Sequence, residues 1–153
     1  MFEPGRIFAL AAMLSVAGVT YWNIRAATRG KSVHIKDMPG VRAIEEMVGR
    51  ATEMGRPVHV STGVGTLTGG TAPEMFAGLQ VLAHVSRLCA RYDARLIATA
   101  CQPDVFVATV ETAREAYLQE GKSDQLSDTD LRYLSTDQWA YAAGIVGIVA
   151  REN

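Results

Sequence analysis

The sequence has few of the residues that build metal or redox sites. Its 153 residues include two cysteines and three histidines. Cys89 and Cys101 lie twelve residues apart, so there is no C-x-x-C pair, and the histidines are scattered without ligand spacing. Zinc sites and redox motifs depend on such clusters. We therefore expect no metal and no cofactor, and free thiols in a reducing compartment.

A strong charge of either sign is also missing. The 15 lysines and arginines nearly balance the 16 acidic residues, which leaves a net charge of −1. Proteins that bind nucleic acid carry a basic patch, so nucleic acid is not an expected partner. The one basic cluster, Arg25, Arg29 and Lys31, is smaller than the roughly four to eight residues that recognise specific lipid headgroups.

One long apolar run is present near the start of the chain. Residues 7–24 hold no formal charge, and as a helix these eighteen residues would extend about 27 Å, close to the ~30 Å hydrocarbon core of a bilayer. Tyr21 and Trp22 lie near its end, where aromatic residues favour the headgroup boundary. The run predicts a transmembrane anchor over residues 1–25, with the lipid bilayer as partner through residues 7–24.

The flanking charges predict how this anchor is oriented. One arginine precedes the run, whereas two arginines and a lysine follow it within seven residues. The positive-inside rule then places the N-terminus outside and the C-terminal domain in the cytoplasm of a cell-membrane protein. The alternative is a signal peptide cleaved after residues 15–17. The apolar run continues beyond that point and the basic cluster lies after it, which favours the anchor.

Helix and strand patterns alternate after a short juxtamembrane linker, residues 26–31. Strands are predicted at residues 57–61, 95–99 and 131–135, with a further short strand at 32–36, and helices at 41–54, 73–92, 103–120 and 138–152. Residues 121–130 form a polar loop, and residues 135–138 match a capping box. This order predicts an α/β domain over residues 32–153, with a parallel sheet in a Rossmann-like three-layer arrangement.

The last predicted helix contains twelve consecutive uncharged residues, 139–150. This run is too short to span a bilayer, and a helix that is apolar on all sides is normally buried. We expect either a fragment of a longer domain or a subunit that completes its core against a partner. The expected partners are other protein subunits, bound through the helix at residues 138–152.

Two segments resemble a known group of sequences. They are IKDMPGVRAIEEMVGRATEMGRPV at residues 35–58 and QWAYAAGIVGIVARE at residues 138–152. Both resemble a group of uncharacterised, membrane-anchored prokaryotic proteins of unknown function, and the resemblance covers roughly residues 32–152. It implies no activity and no functional residues for this chain. Members of the group continue beyond the point where this chain ends, which would agree with an incomplete fold.

The strongest candidate for a binding site is the glycine-rich segment 61–71, which follows a strand and precedes a helix. Free N–H groups at a helix N-terminus bind phosphate or carboxylate, and glycines let a ligand approach the backbone. The segment is neither a G-x-G-x-x-G motif nor a P-loop and has no lysine, so the alternative is a flexible loop with turn glycines. The predicted ligand-binding residues here are Ser61, Thr62, Gly63, Gly65, Gly69, Gly70 and Thr71.

A second candidate lies at the ends of the next two strands. Adjacent parallel strands present their carboxyl ends at one crevice, so we expect Thr99, Cys101 and Ser135 to join the same ligand site. Cys101 precedes a helix, a position that lowers a thiol pKa and would favour a nucleophile. The commoner role of such a cysteine is inert packing. We assign no catalytic residue.

The sequence therefore predicts a single-pass, membrane-anchored accessory or scaffold subunit without catalysis of its own. The alternative function is a module that binds a small anionic, nucleotide-like ligand at the loop over residues 61–71. A third hypothesis is an enzyme that uses Cys101. The first hypothesis assigns the function to the apolar helix at residues 138–152. The second assigns it to the glycine-rich loop, and the third to the thiol of Cys101.

Overall fold

The chain divides into two compact units, Met1–Asp37 and Met38–Asn153. The computed structural model describes residues 4–28 of the first unit and 39–152 of the second. The predicted strand at residues 32–36 and the second half of the predicted linker, residues 29–31, lie outside the described residues.

The described part of the first unit is a single helix, α1 (Pro4–Thr28). It continues past Arg25 and includes the first three residues of the predicted linker. Every side chain of residues 7–24 is exposed, although most are apolar. Ser15 and Asn23 donate side-chain hydrogen bonds of 2.8 Å to carbonyl oxygens four residues earlier, which satisfies their polar groups within the helix. By length and composition, residues 7–28 can span a membrane.

The second unit is a mixed α/β domain in which helices and strands alternate. In chain order its elements are α2 (Pro39–Glu53), β1 (Val58–Ser61), α3 (Ala72–Tyr92), β2 (Leu96–Ala100), α4 (Pro103–Gln119), β3 (Leu131–Tyr133) and α5 (Gln138–Glu152). The strands form one parallel sheet in the order β1-β2-β3. The parallel sheet is confirmed. The loop predicted at residues 121–130 contains two short 3-10 turns, Ser123–Gln125 and Asp128–Asp130.

The main core lies between one face of the sheet and helices α2, α3 and α4. Strand β2 is buried along its whole length because it is central, with β1 and β3 on either side. Its side chains alternate, so Leu96 and Ala98 face this core together with Val58 and Val60 of β1. Helix α2 contributes Val48, which is almost fully buried. The apolar spacing that predicted α2 corresponds to burial in part: Ile44 and Val48 pack in this core, whereas Val41 and Met47 are exposed.

Helix α5 covers the opposite face of the sheet. Tyr141 and Ile148 are its buried residues, and Gly144 lies against Leu134. A methyl group added at Gly144 would come within 3.1 Å of the Leu134 side chain, so the glycine permits this close approach. The expectation that α5 is apolar and buried is therefore correct for one side of the helix. Its other side is exposed.

Four charged residues fix the C-terminal end of α5 to the sheet. Arg95 binds both carboxylate oxygens of Asp130, at 2.9 and 2.6 Å, and donates to Glu152 at 2.8 Å. Arg132 donates to the other oxygen of Glu152 at 3.1 Å. Charge-assisted hydrogen bonds between arginine and carboxylate are among the stronger polar interactions. The two bonds to Glu152 therefore anchor this end of α5 by more than apolar contact.

Candidate functional site

The carboxyl ends of the strands meet at one edge, as the sequence predicted. Ser61 at the end of β1 is in register with Thr99 of β2, and Ala100 is in register with Tyr133 of β3. The glycine-rich segment 61–71 and the turn at residues 100–102 therefore leave neighbouring strands on the same side. This edge is the position where ligands of parallel sheets commonly bind.

A tyrosine from α5 joins the hydroxyl groups at this edge. The Tyr141 hydroxyl lies 2.7 Å from Ser61 Oγ and 3.1 Å from Thr99 Oγ1, and it donates to the Thr99 carbonyl oxygen at 3.1 Å. Thr99 is fully buried, and Tyr141 almost so. Two of the predicted ligand-binding residues thus come together, but they hydrogen-bond to the protein's own last helix.

His59 extends this network along the sheet. Its Nε2 atom lies 3.1 Å from Thr99 Oγ1. Burial lowers the pKa of His59 below its ordinary value, and the positive charge of Arg132 lowers it further. A neutral imidazole is therefore favoured at physiological pH, and its ring nitrogen can accept or donate a hydrogen bond to the threonine according to its tautomer. The chain of contacts from His59 through Thr99 and Tyr141 to Ser61 holds α5 on the sheet.

Three backbone amides of the glycine-rich segment donate hydrogen bonds to side chains of the protein. The N–H of Gly63 donates to Ser61 Oγ at 3.3 Å, and the N–H of Thr66 donates to Thr71 Oγ1 at 3.2 Å. The N–H of Leu67 donates to a carboxylate oxygen of Asp104 at 2.8 Å, which ties the loop to the first turn of α4. These three amides are the kind that would bind an anion in a phosphate loop. Here two of them bind side chains of the loop itself, and the third binds Asp104 of α4.

Two glycines of this loop are explained by packing. Gly63 has φ +99°, a left-handed conformation that favours glycine, and a methyl group added at Gly65 would lie 3.0 Å from Met75 Cε and 3.0 Å from Thr71 Cβ. Met75 is buried beneath the loop. Gly69 and Gly70 have open space around them, so these two remain the positions where a ligand could approach the backbone without displacing protein atoms.

Cys101 is buried, and its thiol contacts the Thr136 carbonyl oxygen at 3.8 Å. Burial raises the pKa of Cys101, and the nearby carboxylate of Asp137 raises it further. The expectation of a lowered pKa at this position is wrong, because burial and the like charge of Asp137 both raise the pKa. Cys89, in the main core, has its pKa raised by burial to about 12. Both thiols are free and both are held protonated.

Ser135 does not cap α5 in the way the capping-box pattern predicted. The side chain of Asp137 accepts from the N–H of Ala140 at 2.8 Å and is the N-terminal cap. Ser135 Oγ instead accepts from the N–H of Asp137 at 3.1 Å. Its hydroxyl organises the turn before the helix. The pattern identified the right turn but displaced the cap by two residues.

Sequence reasoning missed Tyr141, the residue that links these groups. A signal for it exists in the spacing, because Tyr141, Ile145 and Ile148 recur at intervals of four and three along one side of α5. A tyrosine on a buried stripe needs a partner for its hydroxyl, and two hydroxyl-bearing strand ends were available. In the described residues, no group of three or more histidine, cysteine, aspartate or glutamate side chains is arranged to bind a metal ion.

Comparison with known sequences identifies a family that covers residues 1–153, a domain of unknown function. The expectation of an uncharacterised family is thereby confirmed. Comparison with curated proteins and with solved structures finds no match to the chain.

Proposed function

The chain belongs to the DUF6754 family, a domain of unknown function, and we propose that it acts as a membrane-anchored accessory subunit that binds another protein. The observation that carries this proposal is an apolar stripe on the exposed side of α5. The stripe consists of Trp139, Ala142, Ala143, Val146, Val149 and Ala150, all of which are exposed. We call it the α5 stripe.

The α5 stripe is larger and more apolar than isolated surface hydrophobic residues. Trp139 is 82% exposed and Val146 is 68% exposed, and the members recur at helical spacing, so they form one continuous strip. A strip of this kind is typical of protein–protein contact, in which tryptophan is among the most frequent anchor residues. The small side chains of Ala142 and Ala143 would let a partner helix approach closely.

Helix α1 and its flanking charges support the proposed cytoplasmic location of the domain. Helix α1 supports a single membrane span, and the basic residues after it support a cytoplasmic domain with the N-terminus outside. Free cysteines are consistent with that compartment. We extend the proposal to the architecture: with α2, α3 and α4 on one face of the sheet and α5 on the other, the domain would be a small Rossmann-like three-layer fold.

The polar edge of the sheet supports this choice over the ligand-binding alternative. Ser61 and Thr99 bind Tyr141, and the amides of Gly63, Thr66 and Leu67 bind side chains of the domain. A ligand that bound these hydroxyl and amide groups would have to displace those contacts. The protonated thiols likewise give no support to an enzyme that uses Cys101.

A pair of matched substitutions tests the proposal. Val146→Glu places a charge in the α5 stripe, whereas Val107→Glu places one on an equally apolar position of α4 that is 63% exposed and lies outside the stripe. We expect the native mass of the detergent-extracted assembly to fall for Val146→Glu and to stay unchanged for Val107→Glu. Equal native masses for the two variants would contradict the proposal. Ile148 is unsuitable for this test, since it is buried against the sheet.

A further inference from the structure

The face of the sheet that α5 covers includes one titratable side chain of β1, that of His59. The side chains of Val58 and Val60 face the main core, so that of His59, which lies between them, points to the opposite face. A cavity of about 150 Å³ adjoins the imidazole. The other residues that line this cavity are Pro57, Ile97, Ile148, Val149 and Glu152. The imidazole therefore lies at the interface between the sheet and the last turns of α5.

His59 lies close to both buried residues of α5. Its Nε2 atom lies 3.1 Å from Thr99 Oγ1, which in turn lies 3.1 Å from the hydroxyl oxygen of Tyr141. Ile148, the second buried residue of α5, lines the cavity beside the imidazole. A change in the charge of His59 therefore acts on both positions at which α5 is buried on the sheet.

The surroundings of His59 oppose a proton on its imidazole. Burial lowers the pKa of His59, and the positive charge of Arg132 of β3 lowers it further. The carboxylate that lines the cavity, Glu152, already accepts hydrogen bonds from Arg132 at 3.1 Å and from Arg95 at 2.8 Å. Helix α5 also contributes the Tyr141 hydroxyl, and the α2 and α3 residues that line the neighbouring groove are uncharged. A protonated imidazole would thus lie near an arginine, beside a carboxylate that two arginines already bind.

We propose that His59 makes the attachment of α5 to the sheet sensitive to mild acid, so that a proton on its imidazole favours a form in which α5 has opened. Opening exposes the imidazole to water, which stabilises its charged form and screens it from Arg132. The open form therefore binds the proton more tightly than the closed form does. This switch is a property of the chain alone and does not rest on the proposed function. Because the same helix carries the α5 stripe, opening would also disturb the surface to which we assign partner binding.

Thermodynamic linkage defines the pH range of this effect. The folded-state pKa of His59 lies below its ordinary value of 6.5, so the stability of the closed form is complete above pH 6.5 and is lost as the pH falls through the folded-state pKa. If His59 has its ordinary pKa in the open form, the equilibrium constant for opening rises by at most about 25-fold between pH 7 and pH 5. Hydrogen bonds from two arginines hold the pKa of Glu152 below 4.5, so this carboxylate stays ionised throughout that range.

Amide hydrogen exchange across this pH range tests the inference on the full chain, purified in detergent. Exchange in peptides from α5 is compared with exchange in peptides from α3 between pH 7 and pH 5, after correction for the intrinsic rate. We expect the protection of α5 to fall by between about threefold and 25-fold, and that of α3 to stay constant. The chain has three histidines, so ¹⁵N-histidine labelling gives the folded-state pKa of His59 by NMR titration. The fall in protection should equal the fall that this pKa predicts.

Two histidine substitutions identify the responsible group. His59→Gln keeps a side chain that can hydrogen-bond to Thr99 but that takes up no proton in this pH range. We expect the pH dependence of α5 exchange to disappear in this variant. His84→Gln is the matched control, since His84 is also half-buried but lies on α3, which packs on the other face of the sheet from α5. The His84→Gln variant should show the same fall in α5 protection as the wild type.

Three results would overturn the inference. One is unchanged protection of α5 between pH 7 and pH 5, and another is an equal fall in His59→Gln and the wild type. The third is an equal loss of protection in α3, which would mean that the whole domain unfolds. If His59→Gln does not fold, the wild type decides: a fall in α5 protection that differs from the one its His59 pKa predicts contradicts the inference. The proposed function fails separately, when Val146→Glu and Val107→Glu leave assemblies of equal mass.

Discussion

Tyr141 is the residue that couples α5 to the polar end of the sheet. Its hydroxyl contacts Ser61 and Thr99 and donates to a buried carbonyl oxygen, so one side chain bridges two strands and a helix. A hydroxyl in such a position stabilises mainly because its removal leaves buried polar partners unsatisfied.

Replacing Tyr141 with phenylalanine should therefore destabilise the domain. We expect the free energy of unfolding to fall by about 1–3 kcal/mol, measured by denaturant unfolding of the full chain in detergent. Tyr133→Phe is the matched control, because the Tyr133 hydroxyl makes no hydrogen bond among the described residues and its ring packs against Phe106. Equal stabilities of the two variants would show that the Tyr141 hydroxyl contributes nothing.

The two cysteines should be equally unreactive in the folded protein. Burial raises the pKa of both thiols, that of Cys89 to about 12, so the thiolate that reacts with alkylating reagents is scarce at neutral pH. We expect slow labelling of both by a maleimide probe, followed by fast labelling after unfolding in denaturant. Rapid labelling of Cys101 alone in the native protein would contradict this account and favour the enzyme hypothesis.

At the scale of elements, the C-terminal end of α5 depends on ionised Glu152. Hydrogen bonds from Arg132 and Arg95 lower the pKa of Glu152 below its ordinary value of 4.5. Its stabilising contribution is complete above that unfolded-state value and is lost as the pH falls through the lower folded-state pKa. We expect Glu152→Gln to speed amide exchange in the last turns of α5 at pH 7, and to abolish the pH dependence of that exchange, corrected for its intrinsic rate, below pH 4.5.

Glu111→Gln is the appropriate control for that measurement. Glu111 is an exposed glutamate of α4 that lies 3.9 Å from Arg114 within the same helix, and such surface pairs contribute little. Its removal should leave exchange in α5 unchanged. Identical exchange in Glu152→Gln and the wild type would mean that apolar contacts alone hold this end of the helix.

Local signals explain why most elements could be predicted from the sequence. Pro73 and Pro103 mark the first turns of α3 and α4, and the structure has those helices beginning within a residue of each proline. The apolar runs predicted β1 and β2 with bounds within one residue of those found. The weaker third strand is shorter than predicted and ends at Tyr133. Helix boundaries and buried strands depend on nearby residues, which a sequence displays directly.

The site was predicted less well because its contacts join distant parts of the chain. The strand ends met as expected, but the partner of Ser61 and Thr99 lies on α5, eighty and forty-two residues away. The rotation of α5 on the sheet is set by tertiary packing, including the close contact of Gly144 with Leu134. The hydrogen bond from the Leu67 amide of the glycine-rich loop to Asp104 likewise joins residues that are far apart in the sequence. No local pattern specifies such pairs.

At the scale of the whole molecule, one exposed feature supports the proposed contact with another protein. The α5 stripe offers an apolar helix face. It lies on the domain of residues 39–152, while α1 supplies the candidate membrane span. An accessory subunit of a membrane assembly would need both a membrane anchor and a surface that binds a partner.

The native mass of the full chain, extracted from its membrane in mild detergent, tests this account most directly. We predict a defined complex whose mass, after subtraction of the detergent, clearly exceeds the 16.5 kDa chain and which contains at least one other polypeptide in fixed stoichiometry. A monomer or a small homo-oligomer would contradict the account. Binding of an anionic ligand at Gly69 and Gly70 would then become the leading hypothesis.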